Sequence, residues 1–162
     1  MGEYTSKEDQ EFFASIGRFT ISWSLLEAVL DMSVMSVYHG LGGSKLAREI
    51  PKSLKRKIKF LAKASKRIES ISHLEKEIGE ITNQIKDASV LRHDLIHGFA
   101  VEAAEKSGEA KLVRFIHEAG AITQRPIEID TVKILTAARD NQKLVARFAA
   151  VGKELASLCP RM

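Results

Sequence analysis

Apolar residues recur every three or four positions along most of this chain. Phe12, Ile16, Phe19, Trp23, Leu26, Leu30, Val34 and Val37 form one such seam and predict a long helix over residues 6–38. Ser6 is a candidate cap, with Asp9 at the capping-box position. HGLGGS, residues 39–44, breaks this helix, and its three glycines tolerate left-handed backbone. A short element is expected from Lys45 to Glu49, and Pro51 marks a new helical start. The second helix is expected over residues 52–67, with Leu54, Ile58, Leu61 and Ala62 on its apolar side. A third is expected over residues 70–97, with Ser70 or Ser72 at its junction. Its seam runs Ile71, Leu74, Ile78, Ile81, Ile85 and Ala88, meets Arg92 where an apolar residue is due, and resumes at Leu95. Gly98 ends it.

The period then changes. FAVEA (99–103), AKLVRFIHEA (110–119) and AITQRPIEI (121–129) alternate as strands do, with turns at EKSGE and Gly120. Pro126 favours an edge position. A last helix is expected over residues 131–158, carried by Val132, Leu135, Leu144, Val145, Phe148, Val151 and Leu155. The pattern predicts a mainly α fold over residues 1–162 as a single domain. It is an up-and-down bundle of four to five helices, with a small β-hairpin or three-stranded meander (about 99–129) before the last one.

Composition agrees with an ordered chain: 44% of the 162 residues are hydrophobic and only three are proline. Cys159 is the only cysteine, which excludes an intramolecular disulfide and favours a cytoplasmic setting. No cationic start leads into an apolar run, and no apolar stretch is expected to span a bilayer, so no membrane partner is expected. Charge is uneven. Residues 51–98 carry eleven basic and six acidic groups, and between Pro51 and Ile68 there are eight basic residues and no acidic one. Lys52, Lys55, Lys59, Lys63 and Lys66 recur closely enough to form a stripe that phosphates could follow, as could any solvated helix face.

The densest chemistry lies in VLRHDLIHG, residues 90–98. Arg92 on the expected inner face must snorkel, pair (Glu27 is a candidate), or serve a site. His93 and His97 are helical neighbours at i,i+4. Arg92 and His97 are about 140° apart around a helix and make poor partners within one chain. Arg92 offers a fixed cation with several donors, His97 a proton exchanger near neutrality, and Asp94 an orienting carboxylate or a solvated charge. His93 and His97 also have the spacing of a metal pair. The glutamate of the hydrolytic zinc motif is missing and no cysteine cluster completes a shell, so neither metal nor cofactor is expected. HGLGGSK lacks the P-loop order.

RHDLIH, with Arg92, the polar His93 and His97 directly before Gly98, resembles the Arg-x4-His motif of the HEPN superfamily, helical domains of prokaryotic ribonucleases and toxin–antitoxin pairs. Trp23 and Glu27 in SWSLLEAVL look like the aromatic-plus-glutamate pattern of some branches. The resemblance spans roughly residues 6–158. It implies a homodimer in which two copies of Arg92 and His97 converge on RNA. Cleavage would be metal-independent, leaving a 2′,3′-cyclic phosphate and a 5′-hydroxyl, with Arg92, His97, His93 and Asp94 as the site and a possible cognate antitoxin as partner. It equally admits a catalytically inactive homodimer that serves as a binding or assembly module.

Overall fold

The structure is a computed structural model that describes residues 6–103, 108–118 and 121–160. Four helices are present: α1 (Lys7–Met35), α2 (Leu54–Arg67), α3 (Glu75–His97) and α4 (Thr131–Ser157). Three strands precede the last: β1 (Phe99–Ala103), β2 (Glu109–Glu118) and β3 (Ala121–Asp130). They form an antiparallel meander in the order β1-β2-β3. The fold is mainly α, as the periodicity predicts. The turns expected at EKSGE and Gly120 fall largely on residues 104–107 and 119–120, outside the described residues. Gly108, at the end of the first, has the positive φ of +83° that such a turn uses.

Element ends differ from the sequence reading for local reasons. Ser6 Oγ accepts from Asp9 N at 3.0 Å and caps α1 as expected. At its other end α1 gives way to a wider π turn, Ser36–Gly40, instead of continuing to residue 38. Pro51 does not begin α2. Ser53, in extended backbone, accepts from Arg56 N and sets the start at Leu54. Residues 70–74 belong to a 3-10 turn, Glu69–Leu74, entered from extended Ile68. Asp130 Oδ1 accepts from Lys133 N at 2.6 Å and caps α4. That cap leaves Val132 73% exposed and turns Ile134, Ala138 and Asn141 inward.

The chain groups into two compact units. One comprises residues 1–23 and 88–141, the other residues 24–87 and 142–162. The first is built on Phe12, Phe19, Trp23, Ile127, Ile129 and Ile134, all buried. Its buried Asn141 donates to Ser22 Oγ at 3.3 Å. The second is built on Leu30, Phe60, Leu61, Ile78, Ile81 and Phe148, among others. Arg147 there donates to Glu77 and Glu80, and His73 Nε2 lies 2.6 Å from Glu154 Oε1.

One expectation is corrected by length and composition. Lys7–Gly40 is long and apolar enough to cross a membrane on those criteria alone, with 39% of its apolar window buried. After Arg18 its only Asp, Glu, Lys or Arg residues are Glu27 and Asp31, and apolar residues also occupy its outer side: Leu25, Met32 and Met35 are 52%, 69% and 46% exposed.

Two of the glycines after α1 have separate jobs. Gly42 supplies positive φ (+78°). Gly43 supplies space, because a Cβ there would stand 2.7 Å from both Phe60 Cζ and Val37 O. Gly43→Ala therefore forces Phe60 or the α1 terminus to shift. We expect a loss of about 1–3 kcal/mol, read as a fall in melting temperature of roughly 2–4 °C per kcal/mol. An unchanged melt would show that this contact is not tight.

Candidate functional site

Asp94 organises the end of α3. Only 4% of it is exposed. Oδ1 accepts from Arg114 Nη1 and Oδ2 from Arg125 Nη2, each at 2.8 Å. Arg114 and Arg125 are direct cross-strand partners on β2 and β3. Like charges in that position repel, and the carboxylate between them removes the conflict. Gly98 then lets α3 pass closely into β1: a Cβ at this residue would lie 2.5 Å from Asp94 O and 3.0 Å from Leu112 Cδ1.

An open groove of about 620 Å³ lies beside this clamp, lined by His93, Ile96, His97, Arg114, Phe115 and Ile116 together with Gly98. The i,i+4 spacing brings the two imidazoles together with ring centroids 4.4 Å apart and planes 57° apart. The pKa of His93 is pushed below the ordinary histidine value. Partial burial is the largest cause, followed by the positive charges of Arg114, His97 and Arg92, while Asp94 opposes them. These causes favour the neutral form of His93.

The structure separates the sequence candidates. His93 and His97 share the groove. Asp94 does not face solvent: it is the inward residue, and it clamps rather than lines. Arg92 is half-buried and does not line the groove of its own chain, and its Nε is buried with no hydrogen-bond partner among the described residues. The arginine beside the histidines is Arg114, which the sequence reading passed over. A signal for it existed. In AKLVRFIHEA, Arg114 alternates with Leu112 and Ile116 on one face, as Arg125 does with Ile127 and Ile129. Two arginines on apolar faces are candidates for a shared acid. The five lysines of the basic stripe are all exposed. Lys63 Nζ donates to Leu46 O at 3.1 Å, and Lys66 pairs loosely with Glu75 at 3.8 Å. Among the described residues, no three His, Cys, Asp or Glu side chains gather in a metal-binding group.

Two outcomes follow from this geometry. Asp94→Asn leaves two facing arginines without their carboxylate and should cost on the order of 3 kcal/mol, the lower end for a broken buried pair because Arg125 is partly exposed. Urea unfolding would measure it, and a loss under about 1 kcal/mol would make the clamp ornamental. In an NMR titration, His93 should titrate below the ordinary value of 6.5. Arg114→Gln should raise that midpoint, since it removes one cation and frees Asp94. The folded state binds this proton more weakly than the unfolded chain. The stability His93 contributes is therefore complete above about pH 6.5 and is lost as pH falls below it.

A scan against protein-family models gives no match, and searches of the curated proteins and of the solved structures give no match either.

Proposed function

We propose that the chain is a metal-independent endoribonuclease of HEPN type, acting as a homodimer in a cytoplasmic setting. The observation that carries the reading is the His93–His97 pair, two imidazoles 4.4 Å apart in an open groove that Arg114 also lines. Cleavage by 2′-hydroxyl attack needs a base for that hydroxyl and an acid for the departing 5′-oxygen. His93 takes the first proton as base, and His97 supplies the second as acid. The new bond joins the 2′-oxygen to phosphorus, and the bond to the 5′-oxygen breaks. A guanidinium stabilises the charge that gathers on the phosphoryl oxygens between those events. Arg92 enters through the homodimer, because its separation from His97 around one helix asks for a second copy. A cognate antitoxin belongs to the reading as the partner that would cover such a groove.

The alternative is a catalytically silent binding or assembly module. It is favoured by one observation: Asp94, counted among the candidate residues, is committed to holding α3 against β2 and β3.

Mixed cellular RNA incubated with the protein in EDTA separates the two. The enzyme reading expects fragments ending in 2′,3′-cyclic phosphate. His97→Ala and His93→Ala should each lower the rate by about a hundredfold or more, and Arg92→Ala should abolish cutting while the dimer persists. Cleavage indistinguishable from buffer, or equal in the variants, would transfer the assignment to the binding module.

A further inference from the structure

A second groove lies in the unit formed by residues 24–87 and 142–162, between the segment 46–51 and α2. Its volume is about 410 Å³, within the size range of small-ligand sites. Arg48, Arg56, Lys59 and Lys63 line it, against a single acid, Glu49. Its floor is apolar: Leu46, Ile50, Pro51 and Phe60. Pro51 and Phe60 are buried, and Ile50 and Leu46 are half-buried.

The cations here differ in one respect from two of their neighbours. Lys57 and Lys66, on the same helix, pair with Asp31 and Glu75. Among the described residues no carboxylate pairs with Arg48, Arg56, Lys59 or Lys63, and the only partner of the Lys63 ammonium is the carbonyl of Leu46. The walls are also braced. Tyr38 Oη donates to Arg48 O at 3.3 Å, the Tyr38 ring lies 6.1 Å from that of Phe60, and Gly43 leaves room for the Phe60 tip. A braced apolar floor under unpaired guanidiniums suits a ligand with one flat apolar part and one strongly anionic part. Guanidinium matches phosphate in geometry as well as charge.

We propose that this groove is a nucleotide-binding site. It takes the phosphate of a nucleotide, free or within a single RNA strand, on Arg48, Arg56 and Lys59, with the base laid against Ile50 and Pro51. The assignment stands on this groove alone and holds whether or not the histidine groove cleaves RNA. It also narrows the basic stripe: Lys59 and Lys63 belong to the site, whereas Lys52, Lys55 and Lys66 do not line it.

The test uses the full chain carrying His97→Ala, so that binding is read without turnover. AMP is titrated while backbone amides are followed by NMR, and a labelled single-stranded RNA of about ten nucleotides is followed by anisotropy. Shifts should concentrate at Ala47, Ile50 and Lys59. Arg48→Gln with Arg56→Gln should weaken binding about tenfold or more, and Lys66→Gln less than twofold. Tighter binding of the RNA than of AMP assigns the groove to a strand, and equal binding assigns it to a free nucleotide. The proposal is overturned if Lys66→Gln weakens binding as much as the double variant, if neither does, or if inorganic phosphate competes as well as AMP.

Discussion

The carboxylate of Asp94 is the constraint on which the histidine groove depends. Arg114 and Arg125 face each other across β2 and β3, an arrangement that repels unless an anion lies between them. A carboxylate buried to the extent of Asp94 is equally untenable without cations. Each of the three groups explains the other two. Their union also fixes how the last turns of α3 are rotated. With Asp94 turned inward, His93 and His97 lie on one flank, about 40° from each other, while Arg92 points about 160° from Asp94 and about 140° from His97. The same bond that seats the helix on the sheet therefore sets which way the imidazole pair faces and takes Arg92 out of their groove.

Much of the fold was legible because apolar period reports burial directly. Ile71, Leu74, Ile78, Ile81 and Ile85 read as a seam and are buried as one. Ser6 and Asp9 read as a cap and form one. The failures are of two kinds. Helix ends are decided by single hydrogen bonds, such as Ser53 Oγ to Arg56 N, which periodicity does not register. The inner face near residue 92 failed for another reason. The seam was extended by spacing alone, but an ion pair across the sheet overrides apolar period there, and the charged Asp94 takes the innermost place. Glu27, weighed as a partner for Arg92, remains half-buried with no such role shown. The histidine pair was visible as i,i+4 neighbours. Its arginine was marked only by alternation within β2, and its meeting with α3 was not visible, because strand register brings Arg114 there from twenty residues away in sequence.

The two grooves hold their arginines in opposite states, and this separates what each suits. Arg114 gives one side of its fork to Asp94. Part of its charge is answered within the protein, and its position is fixed before any ligand arrives. Such a group contributes little to raw attraction and much to orientation, which is what a charge-developing step requires. Among the described residues no carboxylate pairs with Arg48 or Arg56, and both stand at the wall of an apolar floor. Glu49 is the acid that lines the same groove, so most of their charge is left for a ligand. That arrangement favours capture and salt-sensitive affinity over chemistry. The strongly basic middle of the sequence therefore does not describe one uniform surface. Lys57 and Lys66 have acids of their own. Among the described residues Arg48, Arg56, Lys59 and Lys63 pair with no acid and meet at an apolar wall, and a nucleotide has the chemistry to answer both parts at once.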